Sequence, residues 1–266
     1  MNYTLILLVL LTFIINFILI ISLSVRIVST RTKRIATSNS LFSFIFLIGQ
    51  FSNNIQIPIL AKYVEESLVS NFELSSNFFR IIIAASTFGA IFGAISIPTI
   101  HRFMARGVEL LYNHQTILGL IKKSFSISTV RHLKNSVKWP DKLNFIRLKN
   151  VEKMNVNIFI LNIIVYSFMT SSMLSCLYAG VLNPELRTTS LSLSGFAGGL
   201  GTIIMLLLIE PYHSVLTDKV IEEKVSNAFF RQHLSFVILA RIIGTLISQI
   251  LFIPLSKVIV WVAAWI

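Results

Sequence analysis

Four amides and two opposite charges stand where an apolar chain can least tolerate them. Gly49, Asn53 and Gln56 recur at i, i+4 and i+7, so a helix places them on one face, with Gln50 and Asn54 beside it. Amides in hydrocarbon must find partners, and cross-bonding two helices returns roughly 1 kcal/mol each. A cluster this dense, just ahead of Pro58, points beyond packing to a polar path or a site for a polar headgroup. Glu210 closes one apolar segment immediately before Pro211, and Arg241 lies six residues inside the next. Antiparallel segments bring these two to similar depth, so an ion pair between them is the expected arrangement. The alternative chemistry is that Arg241 receives an anionic headgroup and Glu210 takes up a proton, for gating or coupling. A milder stripe of Ser167, Ser171, Ser175 and Tyr178, flanked by Asn162, Tyr166 and Thr170, is expected to pack, because hydroxyls bond back to their own helix at little cost.

These residues must be carried by membrane-spanning helices. Of 266 residues, 55% are hydrophobic and 13% charged, with mean hydropathy +0.79, and the apolar residues come in blocks of about bilayer length. The reading is an all-α polytopic protein, a single integral membrane domain over 1–266. Its six helices are expected at 3–24, 39–61, 80–101, 157–182, 191–213 and 235–265, in two three-helix halves joined by a long loop, 102–156. Pro98, Pro184 and Pro211 fall near span ends, whereas Pro254 is placed to tilt or break the long last helix. Gly89 and Gly93, and Gly195, Gly198, Gly199 and Gly201, read as sites of close helix contact. The first apolar run has no basic residue before it and no small-x-small site after it, which predicts a retained helix, not a cleaved signal.

Basic residues give the orientation. Loops 25–38, 102–156 and 214–234 hold 18 of the 23 Lys and Arg. The positive-inside rule then puts these loops in the cytoplasm and both termini outside. Loop 102–156 should lie on anionic lipid headgroups, with Phe103, Met104, Val108, Leu111 and Leu118 forming an interfacial helix. No nucleic-acid motif accompanies the net charge of +12, so nucleic acid is not an expected partner. Cys176 is the single cysteine, so no intramolecular disulfide forms.

Enzymatic chemistry lacks its parts. The sequence has no GxxxxGK[ST], no HExxH and no GxSxG, and its five histidines (His101, His114, His132, His213, His233) are scattered. No cofactor, no metal and no catalytic residue are expected.

The segment from Ser24 to Ala61 carries a family pattern. Ser24-Val25-Arg26, Arg31-Thr32-Lys33-Arg34-Ile35-Ala36, Ser40-Leu41-Phe42, Ser52-Asn53, Gln56 and Pro58-Ile59-Leu60-Ala61 resemble the Amj family, the alternate lipid II flippases of bacteria. Ser29-Thr30 stands where that pattern has Gly-Val, and the basic residue it has near Gln50 is missing here. The resemblance implies a multi-pass protein of the bacterial cell membrane that moves a polyprenyl-pyrophosphate-linked peptidoglycan precursor from the cytoplasmic to the outer leaflet. It implies that Arg26, Arg31 and Arg34 meet the diphosphate first, since guanidinium binds phosphate oxygens in pairs. Gln50, Asn53, Asn54, Gln56 and Arg241 would follow as headgroup contacts. A transporter of another lipid or small solute, or a membrane scaffold or assembly factor, is the competing expectation.

Overall fold

The computed structural model describes residues 2–70, 72, 74–114 and 155–266. All regular structure among them is helical. The first span is broken in two, α1 (Asn2–Ser22) and α2 (Ser24–Thr32). Ser22 and Ser24 turn their hydroxyls back onto the carbonyls of Leu19 (2.9 Å) and Ile21 (2.6 Å), a bonding pattern that bends helices. Lys33 then adopts left-handed φ (55°) and turns the chain into α3 (Ile35–Val69). α4 runs Ser76–His114. α5 (Val156–Leu182) starts at Asn155, whose side chain accepts from the Ile158 amide. After a 3-10 turn at Pro184–Leu186 comes α6 (Arg187–Ile204), then a π-helical turn, Met205–Ile209, then α7 (Glu210–Ile221). α8 (Asn227–Trp265) starts at Ser226, which caps the Phe229 amide.

Six stretches are long and apolar enough to cross a membrane: Tyr3–Thr32, Ile35–Val69, Ser76–Asn113, Val156–Leu182, Pro184–Ile221 and Asn227–Trp265. The expected number is correct, but the bounds are not. Residues 25–38, read as a loop, are mostly helical, and the last span runs through Pro254 without a break. Nor do Phe103, Met104, Val108 and Leu111 form a separate interfacial helix. They extend α4, and Val108 and Leu111 are buried with Val25, Val28 and Leu41. Residues 115–154, Leu118 among them, lie outside the described residues.

Packing is closest within each half of the chain. α1 lies against α4 and α3, and α5 against α8 and α6, while α4 meets α8 across the middle. Small residues permit these approaches. A Cβ at Gly89 would overlap the Phe13 carbonyl of α1, and one at Gly244 of α8 would sit 2.8 Å from the Tyr166 Cβ and 2.9 Å from the Ile163 carbonyl of α5. Gly201 similarly meets Met169, but Gly195 and Gly199 face open space, so close packing does not account for them. Phe51, Phe88, Leu207 and Ile250 are among the side chains exposed on the outside, as a hydrocarbon solvent allows.

The largest core cluster, Leu60, Val64, Phe78, Phe79, Leu174, Leu177 and Phe252 among others, fills the end of the bundle opposite α2. Phe79, Tyr178 and Phe252 form its aromatic centre, with ring centroids 5.1–5.7 Å apart.

Candidate functional site

A crevice opens between the two halves. It encloses about 960 Å³ of atom-free space, its open mouth included. α1 contributes Thr12, Asn16 and Ser22; α3 contributes Gln50, Asn53 and Gln56; α5 contributes Tyr166 and Thr170. Glu210 and Arg241 complete the lining from the second half. Met169, Met173 and Met205 supply flexible apolar wall, and the aromatic core lies beyond Leu174 and Ile83.

Many of the polar groups here are already satisfied. Thr12 donates to the Leu8 carbonyl and accepts from Gln56 Nε2 at 2.6 Å. Asn16 donates to the Thr12 carbonyl and Thr170 to that of Tyr166. Gln56, buried by that bond, therefore ties α3 to α1. Gln50 and Asn53 differ: they line the crevice with no side-chain hydrogen bond to protein among the described residues. Their amides are free for a polar guest.

Glu210 does not meet Arg241. Its carboxylate accepts from Arg26 Nη2 at 2.5 Å, and Arg26 also lies over the Phe42 ring, 4.6 Å from its centroid. The break between α1 and α2 swings Arg26 inward, to 8% exposure, and this displaces the expected Glu210–Arg241 pair. Arg241, also 8% exposed, lies 4.9 Å from the Tyr166 ring centroid instead. Among the described residues no carboxylate comes within 4.0 Å of it. A buried guanidinium without a counter-ion, at the wall of a crevice, makes that wall attractive to an anion.

The other sequence-derived candidates scatter. Arg31 and Asn54 are exposed and stand outside the crevice, and Arg34 covers the Tyr112 ring at 3.7 Å. Ser167 and Ser171 bond back within α5, as expected, while Ser175 donates to the Phe252 carbonyl of α8 at 3.1 Å. Thr12 and Asn16 were overlooked, although two polar residues at i, i+4 in so apolar a helix are a readable signal. Among the described residues no group of three or more His, Cys, Asp or Glu is placed to hold a metal ion.

Six long apolar helices in two halves, with a crevice between them that polar side chains help to line, define a multi-pass membrane protein. The family model described as "Amj: Alternate to MurJ" matches residues 11–263, and the chain belongs to that family. It is similar to the lipid II flippase Amj of Bacillus subtilis (strain 168), 27% identical over 241 residues, which cover 90% of this chain and 89% of the relative. No solved structure matches.

Proposed function

We propose that this protein is a flippase that carries the undecaprenyl-pyrophosphate-linked peptidoglycan precursor, lipid II, from the cytoplasmic to the outer leaflet of a bacterial cell membrane. The observation that carries the reading is Arg241: a buried guanidinium at the crevice wall that meets Tyr166 but no carboxylate among the described residues, with the amides of Gln50 and Asn53, unbonded among those residues, also lining that crevice. In this mechanism the diphosphate sits against Arg241 over Tyr166, and the amides bond the sugar while the prenyl tail stays in lipid. With the basic segments 25–38, 102–156 and 214–234 toward the cytoplasmic side and both termini outside, the end holding Arg26 and Glu210 is the inner one. Arg31 and Arg34 then stand at the inner surface, where they draw the diphosphate and anionic lipids electrostatically. The aromatic core around Phe79, Tyr178 and Phe252 seals the outer end. Arg26 and Glu210 form a clasp beside the crevice, and its opening would release a second guanidinium to the cargo.

The test is complementation in a bacterium depleted of its lipid II flippases, with precursor on the outer face read by a probe that cannot cross the membrane. Restored growth and restored exposure are expected. Precursor trapped inside, with the protein expressed and inserted, would overturn the reading in favour of another cargo or a scaffold.

A further inference from the structure

Three ion pairs link the two halves among the described residues, and all three lie on one seam. Arg26 of α2 meets Glu210 of α7, Lys33 meets Glu223 just past α7, and at the far end Glu65 of α3 meets Arg187 of α6 at 3.1 Å. Between its ends this seam stands open. Phe46 of α3 packs against the cluster of Val165, Met205 and Ile209 on one side of the gap. On the other side Thr188 and Leu191 of α6 line a small cavity with Ala61, Val64 and Glu65 of α3. Gly195 and Gly199 follow Thr188 at i+7 and i+11, so they share its face of α6, yet a Cβ at either would meet nothing within 4 Å. Gly199 is twelve residues after Arg187, and Asn53 is twelve before Glu65. In antiparallel helices joined at that ion pair, the two lie at one depth. Asn53 and Gln50 are half-buried and line the crevice. The crevice therefore has a side window, with the amides of α3 along one edge and the bare backbone of Gly195 and Gly199 along the other.

We infer that this window is the lateral door of the crevice, and that the isoprenoid chain of a polyprenyl diphosphate lies in it, between α3 and α6 at the level of Asn53 and Gly199. The choice of an isoprenoid chain rests on the flippase reading; the window itself does not. Glycine weakens a helix relative to alanine, and in a membrane close helix contact is what usually compensates. No helix packs on Gly195 or Gly199 among the described residues, so the width they leave serves an occupant other than this chain's own side chains. The crevice supplies the reason for one. Arg241 is 8% exposed and has no carboxylate within 4.0 Å among the described residues, so an anionic group held against it lies well inside the protein. The tail of such a lipid stays in hydrocarbon only if the wall is open sideways. Polar amides on α3 and apolar backbone on α6 suit the junction, where diphosphate gives way to hydrocarbon. The seam is also the one built to part. Glu65 and Arg187 are 56% and 37% exposed, so their bond is weak, whereas α4 and α8 are held together by the buried stack of Phe79 on Phe252.

The experiment irradiates the full chain in lipid nanodiscs with a polyprenyl diphosphate that carries a diazirine in the isoprene unit nearest the diphosphate, and maps the adducts by mass spectrometry. Adducts should concentrate on α3 around Gln50 and Asn53 and on α6 around Gly195 and Gly199. Gly199→Trp, which fills the window from open space, should abolish them and leave any adducts at Phe88, on the lipid-facing side of α4, unchanged. Adducts spread evenly around the bundle, or window adducts that survive Gly199→Trp, would overturn the inference. Should that variant not fold, Gly195→Trp repeats the test, and failing both the wild-type adduct map decides alone. Phosphatidylglycerol bearing the same diazirine in an acyl chain is the comparison, and equal labelling of the window by it would overturn the isoprenoid occupant. Flipping of the polyprenyl diphosphate in proteoliposomes separates the two readings. A labelled window without flipping removes the flippase and leaves the chain site standing, whereas flipping that Gly199→Trp does not slow removes the window as the route.

Discussion

Arg80 and Gln249 hold α4 and α8 together through a reciprocal bond. Arg80 Nη1 donates to the Gln249 carbonyl at 3.2 Å, and Gln249 Nε2 donates to the Arg80 carbonyl at 2.8 Å. Each side chain therefore satisfies the other's backbone. The pair sits one residue from Phe79 and three from Phe252, so it braces the aromatic seal between the two halves. Replacing either residue by Ala should lower stability by about 1–2 kcal/mol, and the double change should cost clearly less than the sum. Thermal unfolding of the four forms in one detergent checks this, and strict additivity would show the two bonds to be independent.

The Arg26–Glu210 bond predicts a different pattern. Glu210→Gln should destabilise by roughly 2 kcal/mol, because it leaves Arg26 charged and half-bonded in a poorly solvated site. Adding Arg26→Gln should restore part of that loss. Glu210→Gln with Arg241→Gln should restore none, since Arg241 is not the partner. Unfolding curves for the two double variants distinguish these cases directly.

Gly244 and Gly199 look alike in sequence but should respond oppositely to Ala. At Gly244 the new methyl meets α5 backbone and Tyr166, which should cost about 1–3 kcal/mol. At Gly199 nothing lies within 4 Å, so the better helix propensity of Ala should leave the protein as stable or up to about 1 kcal/mol more stable. A loss at Gly199 equal to that at Gly244 would mean that its open face is occupied in the membrane.

Arg241→Lys keeps the charge and discards the planar fork over Tyr166. If the diphosphate is held there, a polyprenyl-diphosphate lipid should bind the variant about tenfold more weakly, close to 1.4 kcal/mol. Equilibrium binding to the purified chain measures this. Unchanged affinity would move the anion site elsewhere.

The sequence showed which residues were out of place in lipid but not which ones would meet. Gln50, Asn53, Gln56, Glu210 and Arg241 stood out by polarity alone, and all five line the crevice. Helical spacing put Asn53 and Gln56 on one face, but it could not tell that Gln56 is spent on Thr12 while Asn53 is free. The pairing of Glu210 was misjudged because charge spacing treats Arg26 as part of a cytoplasmic loop. Two serine hydroxyls beside Leu23 bend the helix there and carry Arg26 inside. The contact of His213 with His233 was missed for a related reason: nineteen residues, a turn among them, lie between the two, and only the fold of α7 onto α8 brings the rings together.

The π-helical turn at Met205–Ile209 is a phase shifter in the fifth span. It holds one more residue than an α-helical turn, so the residues after it are rotated by about 100° relative to those before. Leu206, Leu207 and Leu208 absorb the slip with their side chains exposed, and Glu210 and His213 emerge pointing at Arg26 and His233. Removing any one of these three leucines would turn the acidic and imidazole groups away from their neighbours while leaving the span apolar and long enough to cross. Composition at this position is therefore negotiable, but the number of residues is not.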